Sequence, residues 1–122
     1  MTKTKLKDEL IEEIISKGSQ SVSYREIYKH DNFKIKLEIK SDAFDMQSYA
    51  RAYVLKDLEW SLIYSIPYSK MVTPFNIICR MMTDTEYKKL FIQDRDKLKK
   101  EIETILSWQE QRKKLRNYLY KL

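Results

Sequence analysis

The chain has 122 residues, a formal net charge of +6 and only one glycine, one histidine and one cysteine. Glycine-rich phosphate loops need several glycines for close backbone approach, and multi-histidine metal sites or paired-histidine acid–base chemistry need more than His30, so these chemistries fall away. The length suits one domain spanning residues 1–122, and the positive charge favours contact with polyanions or acidic protein surfaces.

Cys79 sits in the apolar run Ile77-Ile78-Cys79-Arg80-Met81-Met82 and is expected to act as a small buried hydrophobe in a reducing compartment. No apolar stretch approaches the roughly 20 residues that span a bilayer, and the Lys-rich, Glu-rich start lacks a signal-peptide core. A cytoplasmic protein without membrane contact is expected. The abundance of Lys, Ile and Tyr suggests an AT-rich coding genome, such as that of a low-GC bacterium or its phages and plasmids.

Leu6, Leu10, Ile11, Ile14 and Ile15 fall on one helical stripe, so residues 5–17 read as a helix that Gly18 ends in the left-handed conformation. For residues 21–29, a strand is favoured over a short helix opening at Ser23, because His30-Asp31-Asn32 then turns the chain. Phe33 to Lys40 alternates apolar and charged residues over eight positions, the pattern of a half-buried strand. Phe33, Ile35, Leu37 and Ile39 form its inward face, and Lys34, Lys36, Glu38 and Lys40 its outer face.

Ser41 to Gln47 reads as a polar loop with Phe44 tucked into the core. The next strand, residues 48–56, places Ala50, Ala52 and Val54 inward and Tyr49, Arg51 and Tyr53 outward. Residues 60–67 form another strand, with Trp60, Leu62, Tyr64 and Ile66 on one side. Thr73-Pro74 opens a short helix through Met82, and Thr83-Asp84-Thr85-Glu86 caps a long C-terminal one, with a break expected near residues 93–96. The fold class is therefore α+β: an N-terminal helix, an antiparallel meander of three or four strands, a short helix and a long C-terminal helix, with the helices on one sheet face.

Three surfaces carry chemistry worth weighing. Lys34, Lys36 and Lys40 beside Tyr49, Arg51 and Tyr53 have the composition of a single-stranded nucleic-acid platform, where bases stack on rings and phosphates meet cations. The plainer reading, tyrosine rings covering lysine stems on a solvated sheet face, has the greater weight. Asp31 followed by Glu38-Ile39-Lys40 has the residue types of a metal-dependent nuclease, but the pattern is unspecific in so charged a chain and Asp31 suits a turn.

The C-terminal helix holds Phe91, Leu98, Ile105, Arg112 and Leu119 at seven-residue steps, with Trp108, Leu115 and Leu122 interleaved late. Docking on the chain's own sheet is the favoured arrangement. A helix projecting past the core instead offers Trp108, Leu115, Tyr118 and Leu122 to another copy, as a homodimer, or to a partner. Its end carries Arg112, Lys113, Lys114 and Arg116, which suit either the helix dipole or a contact with phosphate or acidic protein.

The leading expectation is a small non-enzymatic module that binds a protein partner, such as a phage- or plasmid-encoded regulator or inhibitor. The alternative is nucleic-acid binding through the basic and aromatic sheet face and the basic helix. No cofactor or metal is expected.

Overall fold

The computed structural model describes residues 9–30, 32–77 and 82–120, with side chains through residue 116. Five strands, β1 (Leu10–Lys17), β2 (Ser21–His30), β3 (Phe33–Asp42), β4 (Gln47–Lys56) and β5 (Glu59–Ser65), form one antiparallel sheet in sequence order. A 3₁₀ turn (Tyr68–Lys70) then leads to a 37-residue helix, α1 (Asp84–Tyr120), which crosses one face of the sheet. The α+β class holds, with one more strand than the upper expectation.

That extra strand is β1, in the place of the expected N-terminal helix. Ile11, Ile14 and Ile15 are β-branched and fit a pleated surface at least as well as a helix. Once paired with β2, the segment separates its two faces: Ile15 lies opposite Tyr24 against the core, and Ile14 opposite Arg25 on the outer face. The inward-facing charges find the helix, with Glu13 to Lys88 at 2.5 Å and Lys17 to Asp84 at 2.7 Å. Gly18 does not adopt positive φ; its N–H donates to the Ser21 carbonyl in the β1–β2 hairpin. Residues 1–8, where the helix was also expected, lie outside the described residues.

β2 is the expected strand, and β3 and β4 are antiparallel neighbours with the expected faces inward, with Val22, Tyr24, Ile35, Leu37, Ile39, Ala50 and Ala52 buried. The two alanines leave room on the inner face. Tyr87, Phe91, Leu98, Ile102 and Leu106 of α1 fill it. In the β3–β4 loop, Asp42 Oδ1 accepts from the N–H groups of Phe44 and Asp45, an Asx turn. This loop turns Phe44 outward, 75% exposed, so the expectation that it enters the core is wrong. Between β4 and β5, Asp57 and Leu58 both take positive φ, as a tight hairpin turn requires, and Leu58 stands at the tip almost fully exposed.

β5 departs from simple alternation. The register shifts between Ala52 and Tyr53, so Tyr53 faces Leu62 while Ala52 faces Tyr64. A bulge of this kind moves one residue out of phase and reverses the side chains beyond it. Trp60 and Leu62 are thereby outer, while Tyr64 joins the core and Ile66 is buried, so the four do not share one side.

The described part of the expected short helix, residues 73–77, is not α-helical. Thr73 does not cap it: its N–H donates to Asp94 Oδ2 at 2.7 Å and its hydroxyl to the same oxygen at 2.5 Å. Cys79 lies outside the described residues. The break expected near residues 93–96 is also absent. Asp94 is fully buried, accepting from the Val72 and Thr73 amides, and so fastens the segment after the 3₁₀ turn to a continuous helix. Thr83 and Glu86 form the expected capping box, with Glu86 N donating to Thr83 Oγ1 and Thr83 N to Glu86 Oε1. Those bonds hold the exposed Glu86 carboxyl below its ordinary pKa.

Candidate functional site: a cation-stacked sheet face

α1 covers one face of the sheet, no other described helix lies on the opposite face, and strand alternation decides what stands there. Pairing of β3 with β4 sets Lys36 opposite Tyr53, Glu38 opposite Arg51, Lys40 opposite Tyr49 and Lys34 opposite Leu55. All six residues expected to form the sheet surface therefore lie on neighbouring strands of one face. Lys34 is the outlying member, exposed at the end of β3.

The cations on this face lie against the rings. The Arg51 guanidinium carbon is 4.0 Å from the Tyr49 ring centre, and Lys36 Nζ is 4.6 Å from the centres of both Tyr53 and Trp60. Such contacts contribute about 0.5–1 kcal/mol each at exposed sites. They also take up one face of each ring. The Tyr49 hydroxyl reaches toward Glu38 at 3.4 Å, and burial with the neighbouring Glu38 charge pushes its pKa up to about 12.

Across the strands runs a row of alternating charge: Glu12 on β1, Arg25 on β2, Glu38 on β3 and Arg51 on β4. Arg25 meets Glu12 at 3.1 Å, while its Nε is buried without a hydrogen-bond partner. Glu38 thus stands between two arginines on this face. Asp31, the other carboxylate of the nuclease pattern, lies outside the described residues. Among the described residues no group of three or more His, Cys, Asp or Glu is placed to hold a metal ion.

A second set of polar groups, which the sequence reading missed, is sealed between sheet and helix. Glu26 is 1% exposed and accepts from the Tyr24 hydroxyl, from the Tyr28 hydroxyl at 2.6 Å and from Arg95 at 2.6 Å. Burial, then the bonds to Glu26, raise both tyrosine pKa values above the ordinary range. Burial opposes the Arg95 charge, yet Glu26 and Asp96 outweigh it and leave its pKa raised. This cluster joins β2 to α1. The signal for it was the even-numbered series Val22, Tyr24, Glu26, Tyr28, which places a carboxylate on an inward face.

The four basic helix residues of the sequence reading are not part of the sheet surface. The last buried positions of α1 are Leu106 and Ser107; from Trp108 onward the described side chains are exposed except for the half-buried Gln111. Arg112, Lys113, Lys114 and Arg116 belong to this overhang. The helix is thus both docked and projecting.

The clefts beside the helix are modest. One of about 480 Å³ is bordered by Tyr64, Ile66, Lys70, Lys97 and Lys100, and Lys97 Nζ there donates to the Lys70 carbonyl at 3.0 Å. Another, of about 240 Å³, is apolar and lies between Phe33, Val54, Ile63 and Ile105, with Gln109 at its border. Among the described residues no helix is long and apolar enough to cross a membrane. No protein-family model, curated protein or solved structure matches this chain.

Proposed function

We propose that the protein is a non-enzymatic interaction module that docks a protein partner on the outer face of its sheet, in the manner of a small phage- or plasmid-encoded regulator or inhibitor. The observation that carries this reading is the stacked array of Tyr49, Arg51, Lys36, Tyr53 and Trp60 on one face. Tyrosine, tryptophan and arginine are the residue types that supply most binding energy at protein interfaces. Here they hold one another in place. Side chains fixed before binding lose less rotamer entropy on docking, so more of their contact energy appears as affinity.

Charge indicates the partner's character. Arg25, Lys34, Lys36, Lys40 and Arg51 outnumber Glu12, Glu38 and Asp42 on this face, which suits an acidic rim around an apolar contact that includes the exposed Leu62. The same stacking weighs against a base-stacking platform. A base needs a ring face, and Arg51 and Lys36 compete for those of Tyr49 and Tyr53.

The test is affinity capture from a nuclease-treated cell lysate on immobilised wild type and on Tyr53→Ala/Trp60→Ala. One dominant protein is expected on the wild type, with at least tenfold less on the double variant. Equal retention by both baits, or retention of nothing, would sink the reading.

A further inference from the structure

We infer that the apolar cleft between the sheet and the far end of α1 binds a medium-chain fatty acid, its alkyl chain inside the cleft and its carboxylate at Arg112 and Lys113. The cleft follows from how the core is filled. Tyr87 and Phe91 bring rings to the sheet early in α1, whereas the later core positions Ile102, Ile105 and Leu106 are aliphatic and Trp108 turns outward, 62% exposed. Facing those aliphatic residues are Ile35 and Val54, paired across β3 and β4, and Ile63 at the β5 bulge. A space of about 240 Å³ is left between them.

Burial along the lining gives this space a direction. Ile35 and Ile102 are fully buried and Leu106 nearly so, which closes one end. Phe33, Val54, Ile63 and Ile105 are half-buried along the sides, and Gln109, exposed, marks the mouth. Among the described lining residues only Gln109 has a polar side chain, so water inside finds few hydrogen-bond partners. A methylene takes up about the volume of one liquid water, about 30 Å³, so the space matches a chain of about eight carbons.

The residues at the mouth select the head group. Arg112 and Lys113 follow Gln109 by three and four residues, about one helical turn, and so continue its side of α1. Both are exposed, and among the described residues no ion pair joins either to a carboxylate. Three acids lie near this end. Glu110 stands about 100° round the helix from Gln109, Glu59 lies opposite Lys56 in the β4–β5 hairpin, and Asp57 is at the tip of that hairpin. A ligand carboxylate at the mouth meets an arginine fork and a lysine while its chain fills the cleft. Cleft and cations together require an amphiphile: a polyanion leaves the apolar space unused, and an uncharged alkane leaves the cations unused.

The cleft is on the helix side of the sheet, so this inference and the reading of the stacked face fail separately. The test is methyl nuclear magnetic resonance of the labelled full chain, titrated with octanoate. The Val54, Ile63 and Ile105 methyl signals are expected to move saturably. A buried methylene is worth about fourfold in affinity, so hexanoate should bind about 16-fold more weakly than octanoate. Dodecanoate should gain less than fourfold over octanoate, because the cleft is already full. Octanol, with the same chain and no charge, should bind at least tenfold more weakly.

Arg112→Ala/Lys113→Ala is expected to weaken octanoate at least tenfold and to leave octanol unchanged. Lys89→Ala/Lys100→Ala, the same loss of charge at exposed positions of the docked helix, should weaken octanoate less than threefold. Far-ultraviolet circular dichroism checks that both variants stay folded. Four results would overturn the inference: no saturable movement at 10 mM octanoate, equal affinity for octanoate and octanol, equal loss in the two double variants, or affinity that keeps rising fourfold per methylene to dodecanoate. Movement of the same signals by phosphatidylglycerol vesicles but not by octanoate would also overturn it and assign the cleft to a lipid surface.

Discussion

At the scale of single residues, the most consequential side chain is Glu26, a carboxylate under the helix with three donors. Removing one partner of a buried ion pair leaves the other charge without compensation, which costs about 3–5 kcal/mol. Glu26→Ala is expected to lower the urea unfolding free energy by that order. Arg25→Ala, which breaks a half-exposed pair with Glu12, is expected to cost under about 1 kcal/mol. Similar losses in the two variants would mean that Glu26 does not fasten the helix.

The same cluster sets a response to alkaline pH. Tyr24 and Tyr28 have raised pKa values in the folded chain, first through burial and then through Glu26. Below the unfolded value near 10 both states keep their protons and stability is unaffected. As pH rises above about 10, the unfolded chain ionises first and is favoured, so stability falls by up to about 1.4 kcal/mol per pH unit for each tyrosine. Urea midpoints at pH 9 and pH 11.5 read this directly. The wild type should lose more stability than Tyr24→Phe/Tyr28→Phe, and parallel losses would remove the tyrosines as the cause.

At the scale of elements, Asp94 shows how one helical residue organises a loop. It sits between Phe91 and Leu98 on the buried stripe and takes the Val72 amide, the Thr73 amide and the Thr73 hydroxyl. Asp94→Ala leaves three donors without their acceptor and is expected to cost about 3 kcal/mol. Amide exchange at Val72 and Thr73 should accelerate more than at Leu37 in the central strand. Uniform acceleration would show that the loss is global rather than local.

Legibility in the sequence varied by element for physical reasons. β3 was readable because apolar and charged residues alternate over its whole first eight positions, and β4 because its alanines and tyrosines do the same. β1 was not, since Leu10, Ile11, Ile14 and Ile15 fit a helical stripe, and only pairing with β2 and the reach of Glu13 and Lys17 to α1 decide for a strand. The bulge that reverses β5 has no composition signature. The break expected near residues 93–96 does not occur, because an aspartate in a helix's first turn and an aspartate buried against a loop, as Asp94 is, look alike in one dimension. The outer-face residues were legible as a group, but their stacking partners depended on Trp60, whose side was set beyond that bulge.

At the scale of the whole molecule, one sheet and one helix give two exposed surfaces of different character. The outer sheet face is aromatic and cation-stacked. The helix overhang is cationic, with Trp108 62% and Leu115 59% exposed on its flank. Our account assigns protein docking to the first. The assignment follows from one consideration: rings already stacked by the chain's own cations suit a pre-formed protein interface better than a platform for bases.

Nuclear magnetic resonance of the isotope-labelled chain tests that claim most directly, by titration with the captured protein and, separately, with a single-stranded oligonucleotide. The Trp60 indole N–H and the Tyr49 and Tyr53 ring signals are expected to shift with the protein and to stay in place with the oligonucleotide. Movement of those signals on adding the oligonucleotide, or their constancy on adding the protein, would contradict the account.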